Sequence, residues 1–287
     1  AIYDVERGKL RGIRRNPWQS DSSVGRRSWS FINGEEYKTP GQLVRDMADI
    51  VSKNGSFLVN IGPRADGSIP DEVKQILLDI GGWLEVNGEA IYGTRPWVAY
   101  GEGETVTALG AHSDGNEIPY TAQDIRFTTK EGDLYAIALA WTDGSIVIKS
   151  LGQHYGKDLR IKSVRMVGSE ETIAWQHTAE GLRITFPKEK PSDFAHAFKI
   201  ELDGLAYSSP EPYFVERDSA PPKTADAYVY NHGPATSAVT ARVLARGNAV
   251  DTAAFSLAPG TARRIETSIE TIQESIADPS ILALALE

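Results

Sequence analysis

The sequence predicts a mixed chain, α/β plus all-β: a partial (β/α)8-type barrel followed by an antiparallel β-sandwich and a second small β-domain. Three observations carry this. Residues 51–97 read as a buried strand, a glycine turn and an amphipathic helix, the repeating unit of such a barrel. Beyond Pro96 the apolar period changes from 3.6 residues to 2. A Pro/Ser-rich stretch from Tyr207 to Pro222 then precedes a last block of alternating residues. The expected units are 1–97, 98–205, a linker at 206–224, and 225–287. A complete barrel takes roughly 250 residues, so the sequence is expected to begin in the middle of one.

The opening segment, to about Phe31, is rich in Arg, Ser and Trp and reads as short strands joined by long loops. Thr39-Pro40-Gly41-Gln42 is a helix start: an N-cap threonine, proline at the first helical position and glutamine three residues after the cap. Leu43, Val44, Met47, Ala48, Ile50 and Val51 follow at helical spacing, and Asn54-Gly55 is expected to close the helix with a left-handed glycine. Phe57-Leu58-Val59-Asn60-Ile61 is apolar on both faces, as in a parallel sheet covered by helices. Its polar exception, Asn60, lies near the strand's C-terminal end, where barrel sites are built. Gly67-Ser68-Ile69-Pro70 introduces a second helix with Val73, Ile76, Leu77, Ile80, Trp83 and Leu84 on one side and Asn87-Gly88 as its stop. Alternating runs then occur at Asp124–Thr128, Leu134–Trp141, Ile146–Leu151, Ile161–Val167, Leu182–Phe186 and Phe198–Leu202, separated by Gly-containing turns.

Composition narrows the function. A net charge of −9 without a basic stripe argues against nucleic acid, and no apolar run reaches the roughly 18 residues of a membrane span. The absence of cysteine excludes disulfides, thiolate metal sites and a cysteine nucleophile. Asn54-Gly55-Ser56 matches a glycosylation sequon, but a helix C-cap explains it better. His112, Asp114 and Glu117 read as a polar turn in preference to a metal site.

Asp4, Glu6, Asp21, Glu35, Glu36 and Asp66 are the carboxylates on or near barrel-type elements. Glu6 stands out because Ala1 to Val5 reads as a strand and Glu6-Arg7-Gly8 as the loop leaving its C-terminal end. Trp18 and Trp29 flank the polar segment between them and suit the apolar faces of sugars, although on the residues alone core tryptophans are the better reading.

Five stretches, in order, resemble the C-terminal half of the catalytic barrel of family 29 α-L-fucosidases: Tyr3–Gly8, Pro17–Gly25, Ser28–Phe31, Val51–Pro63 and Asn87–Trp97. The likeness covers about 1–97 and continues loosely through the sandwich. It implies a retaining, exo-acting hydrolase that releases L-fucose through a covalent glycosyl-enzyme, with no cofactor, since carboxyl catalysis needs no metal. By position, Glu6 matches the general acid/base, which donates a proton in the first step and recovers one in the second. Trp29 matches an aromatic position that packs on the C6 methyl of the sugar. Gln19 stands where many members carry Glu and is assigned to the substrate site, with Trp18 beside it as pocket wall.

The family's nucleophilic aspartate and fucose-binding histidines have no counterpart here. The histidines at 112, 154, 177, 196 and 232 all fall in β-sandwich sequence. A retaining pair of carboxyls stands about 5–5.5 Å apart, and Asp4 does not match the missing member. Three barrel strands would leave apolar edges open, so a homo-oligomer or a complementary barrel fragment is expected, with a fucosylated oligosaccharide or glycoconjugate as substrate. The resemblance favours a periplasmic or secreted location. A different class stays open: a non-catalytic carbohydrate-binding or scaffold protein derived from a fucosidase.

Overall fold

A computed structural model describes residues 2–152, 159–208, 211–212, 224–245, 248–268 and 282–286. His154 and most of the expected linker lie outside them. Within the described residues the chain is mixed and sheet-rich, with two α-helices of more than one turn.

The first unit comprises β1 (Tyr3–Asp4), β2 (Trp18–Ser23), α1 (Pro40–Ser52), β3 (Gly55–Asn60) and α2 (Asp71–Asn87). Its strands pair in parallel in the order β1-β2-β3, with Asp4 opposite Gln19 and Asp21 opposite Leu58. Alternation on β2 turns Trp18, Ser20 and Ser22 towards buried surroundings, while Gln19 and Asp21 stay partly exposed. Leu58 is 54% exposed on β3, unlike the strand covered on both faces that its sequence predicts. Phe57 and Val59 pack on the helix side.

The α1 start follows the sequence: Thr39 is the N-cap, its Oγ1 accepting from Gln42 N at 3.1 Å, and Pro40 opens the helix. Its end differs. Asn54 itself takes the left-handed conformation (φ 71°), and Gly55 starts β3. Glycine is needed at 55 because a Cβ there would lie 2.6 Å from both Ile50 Cγ2 and Trp18 Cε2. α2 ends at Asn87 with Gly88 as its C-cap, as the sequence predicts, and a 3-10 turn, Gly88–Ala90, follows. Asn87 is buried as a bridge: its Nδ2 donates to Trp83 O and Ser192 Oγ, and its Oδ1 accepts from Ala197 N.

The next strands are β4 (Arg95–Glu102), β5 (Ile125–Lys130), β6 (Asp133–Ala138), β7 (Ser145–Ile148), β8 (Arg160–Met166), β9 (Trp175–Thr178), β10 (Gly181–Thr185) and β11 (His196–Asp203). They form an antiparallel sheet, β4-β5-β6-β11-β8, facing a smaller one, β7-β10-β9. β6 explains how the large sheet serves two layers. Leu134, Ala136 and Ala138 point into the sandwich core with Phe127, Ile146, Ile184 and Phe198. Tyr135 and Ile137, with Leu139 just beyond the strand, pack on Val44, Ala48 and Trp83 of the helices. Helices and sandwich therefore share a buried boundary, and an apolar residue at nearly every β6 position is its sequence mark.

The last strands are β12 (Leu205–Tyr207), β13 (Glu211–Pro212), β14 (Thr224–Asn231), β15 (Ser237–Ala245), β16 (Asn248–Leu257), β17 (Ala262–Ser268) and β18 (Leu282–Leu286). β14 pairs with β12, β13 and β17, and β15 lies between β16 and β18. Val229, Val239, Ala241, Val243, Leu257 and Ile265 are buried between these sheets. Of the described parts of the expected linker, Ala206–Tyr207, 211–212 and Thr224 are thus strand.

Candidate functional site

Parallel strands direct their C-terminal ends to one side, and there the chemistry collects. The ladder runs past β1 as labelled: Val5 N donates to Gln19 O at 2.9 Å and Arg7 N to Asp21 O at 2.7 Å. Asp4 and Glu6 thus share a strand parity, beside Gln19 and Asp21 of β2.

Glu6 is half-exposed. Its neighbour comes from far along the chain. The loop between β4 and β5 folds back so that His112 N donates to Glu6 O at 2.9 Å, and Ser113 N and Asp114 N donate to Arg7 O. His112 Nε2 then stands 4.0 Å from Glu6 Oε2. His112, assigned by sequence to the sandwich, is therefore a site residue. Gly8 permits the loop's approach, since a Cβ there would lie 2.2 Å from Gly110 O.

Beneath Glu6, Arg7 is buried in a left-handed conformation (φ 49°). Its Nε donates to Asp114 Oδ1 at 3.2 Å and its Nη2 to Gly25 O and Arg26 O. The Arg7 guanidinium also lies 5.4 Å from the Trp29 ring centroid. Asp114 accepts further from Ser22 Oγ at 2.5 Å and from Lys38 Nζ. With Lys38 and Arg7 beside it, the Asp114 carboxyl is held below the usual carboxylate range against the opposing effect of burial. Its oxygens are committed to these donors, Glu117 bonds Thr39 and Arg45, and His112 faces Glu6, so the three do not make a metal site together.

Of the expected substrate residues, Trp29 is partly exposed, and its carbonyl accepts from Asn60 Nδ2 at 2.6 Å. That bond, with Asn60 to Ser23 Oγ at 3.1 Å, pins the Trp29 loop to the ends of β2 and β3. Gln19 is partly exposed, and its Nε2 donates to Asp4 Oδ1 at 3.1 Å. Trp18 is not a pocket wall: it is fully buried among Val5, Leu10 and Ile50, with Nε1 donating to Lys53 O at 2.9 Å. Even parity on β2 turns it away from the open face.

Asp21, one of the carboxylates that the sequence places on or near barrel-type elements, sits on that face. Burial, and then the nearby Asp4 and Glu6 carboxylates, push its carboxyl above the usual range. Its Oδ1 is buried without a hydrogen-bond partner. Parity with Gln19 was the available signal, since a helix-side carboxylate would have broken the apolar packing. A partly exposed acid, a second carboxyl driven towards protonation and a stacked tryptophan form a surface suited to proton transfer at a sugar.

Two family models match, "Alpha-L-fucosidase" over 1–89 and "Alpha-L-fucosidase C-terminal domain" over 119–201. The chain belongs to the α-L-fucosidase family. It is 28% identical to the tissue alpha-L-fucosidase of Mus musculus over 201 residues, covering 67% of this chain and 40% of that protein. Among solved structures it is similar to Thermotoga maritima alpha-fucosidase in complex with a mechanism-based inhibitor. That match has TM-score 0.51 and 30% identity over 65% of this chain and 40% of the other. It is also similar to alpha-L-fucosidase isoenzyme 1 from Paenibacillus thiaminolyticus. There the TM-score is 0.53 and the identity 25%, over 70% and 44% of the two chains. The chain thus spans about 40% of the length of these fucosidases. The first model covers β1 to β3 with both helices and the second covers β5 to β10 and most of β11; residues 90–118, with β4 and the His112 loop, and the strands β12 to β18 lie outside both.

Proposed function

We propose that the chain is part of a retaining α-L-fucosidase, an exo-acting glycoside hydrolase releasing L-fucose from fucosylated glycans, with Glu6 as its general acid/base. The observation that carries the reading is the position of Glu6. It lies just past the C-terminal end of a parallel strand, partly exposed, with its backbone carbonyl tied to the His112 loop and a tryptophan one residue away across Arg7. In this reading β1-β2-β3, α1 and α2 are the C-terminal half of a (β/α)8 barrel occupying 1–97, and the open face of β2 is the barrel interior. The sandwich occupies 98–205, and a small β-domain follows from 225.

The roles in this reading come from the resemblance, and the geometry supports them. Glu6 protonates the glycosidic oxygen and later deprotonates the attacking water. Trp29 offers an apolar surface to the sugar's methyl group, its loop fixed by Asn60. Gln19, bonded to Asp4, orients a carboxylate and offers its own amide oxygen to a hydroxyl. The second carboxyl of a retaining pair, about 5–5.5 Å away, belongs in this reading to polypeptide outside these 287 residues. The outer edge of β1 pairs with no described strand, and we assign it to a complementary barrel segment or a second copy.

The test is hydrolysis of an aryl α-L-fucoside together with the mass of the active species. Turnover confined to an assembled species supports the reading. A folded, assembled protein that binds fucosylated glycan but never turns it over would instead favour the binding-protein class.

A further inference from the structure

At the other end of the parallel strands from Glu6 lies a cavity of about 750 Å³. Asn16 and Asn54, which precede β2 and β3, stand at its floor. The start of β4, the β5–β6 turn and strands β14 and β17 supply its other walls. Its volume is within the range of small-ligand sites.

The charges lining it fall into two sets. Arg15 and Arg264 are satisfied: Arg15 makes a two-pronged contact with Asp226 at 2.9 Å, and both arginines reach Glu266. Arg14, Arg95 and Lys130 form the second set, and among the described residues none has a carboxylate within 4.0 Å. Arg95 bonds only its neighbour's carbonyl, Thr94 O. Arg14 lies 4.2 Å from the Tyr3 ring centroid and touches Asn16 O at 3.5 Å. Arg95 pairs in register with Thr129, the residue before Lys130, and both Arg95 and Lys130 line the cavity. Among the described residues of the lining, Glu131 is the single acid against these three cations.

We propose that this cavity binds an acidic saccharide, with a sulfate or carboxylate held among Arg14, Arg95 and Lys130 and a sugar ring face laid on Pro96. The anion follows from the uncompensated cations, for guanidinium forks match planar and tetrahedral oxyanions. Only the saccharide as carrier rests on the fucosidase reading, together with the Asn16 and Asn54 amides in the lining. Because the site opens at the far end of the strands from Glu6, it would hold a remote part of a substrate chain or anchor the enzyme to an acidic glycan.

The experiment is calorimetric titration of the folded chain, at low and physiological salt, with a sulfated disaccharide, a uronate disaccharide, their neutral parent and inorganic sulfate. Binding at least tenfold tighter for an acidic sugar than for the neutral one is expected, weakening with salt. The sulfate and uronate arms identify which oxyanion fits. Arg95→Ala with Lys130→Ala should lower that affinity at least tenfold, Arg14→Gln severalfold, and Glu131→Gln should raise it. Equal binding of neutral and acidic sugars overturns the proposal, as does undiminished affinity in the double variant. Tightest binding by inorganic sulfate overturns the saccharide. No outcome depends on turnover, so failure here and failure of the fucosidase assignment are separable.

Discussion

Replacing Asp114 with Asn should both destabilise the protein and disturb Glu6. Asp114 is 5% exposed and is the common acceptor of Arg7, Lys38 and Ser22. Lys38 has no exposed side-chain surface and Arg7 has 9%, so loss of the carboxylate leaves two buried cations without their counter-charge. Breaking a buried pair in this way costs about 3–5 kcal/mol. At about 2–4 °C per kcal/mol for a chain of this size, that lowers the melting temperature by about 6–20 °C. The pH dependence has a definite sign. Because the folded Asp114 carboxyl titrates below its unfolded value, its contribution is complete above about pH 4 and is lost as pH falls through the folded value. The gap between wild type and variant should therefore be widest near neutrality and shrink in acid. Thermal and urea melts at several pH values measure it. Fucoside turnover should fall as well, because Arg7 O anchors the loop that carries His112. A loss below about 1 kcal/mol, the range of exposed ion pairs, would refute the burial argument.

Trp18→Ala should cost about 3–5 kcal/mol of stability, whereas Trp29→Ala should leave the melting temperature nearly unchanged and raise KM; melts and kinetics on both variants separate core from site. Gly55→Ala forces a methyl against Ile50 and Trp18, and denaturation should show a loss of about 1–3 kcal/mol. His232 accepts from Trp97 Nε1 at 3.1 Å and, through Nδ1–H, donates to Gly132 O at 2.6 Å, so it is buried as the neutral ring, with its pKa lowered to about 4. Its contribution is complete above about pH 6.5 and is lost as pH falls towards 4, about 3 kcal/mol in all; His232→Gln should flatten that part of a stability profile.

What was legible in the sequence was local. Thr39-Pro40 announced α1 because a cap and its helix lie within four residues, and the alternating runs from Asp124 to Leu202 follow the strands closely. β4 went unread because Pro96 and Gly101 interrupt it, and its place at a sheet edge explains why they are tolerated. The two tryptophans could not be told apart by neighbours, since both adjoin polar residues. Strand parity separates them, and the serines at 20 and 22 concealed it by being small enough to bury while reading as polar. His112 and Asp114 were beyond local reading. Asp114 meets Arg7 across 107 residues, and only the folding back of the β4–β5 loop brings them together.

The assignment of Glu6 as acid/base is tested most directly by Glu6→Gln in the turnover-competent assembly, assayed on two α-L-fucosides that differ in leaving group. A poor leaving group needs its oxygen protonated, while a good one departs with little help. The account predicts a loss of about 10²–10⁴-fold in kcat/KM on the poor leaving group and a much smaller loss of kcat/KM on the good one, because that ratio reports the step in which the leaving group departs. An equal loss on both, or none on either, would contradict it and move the acid to another carboxyl on the same face.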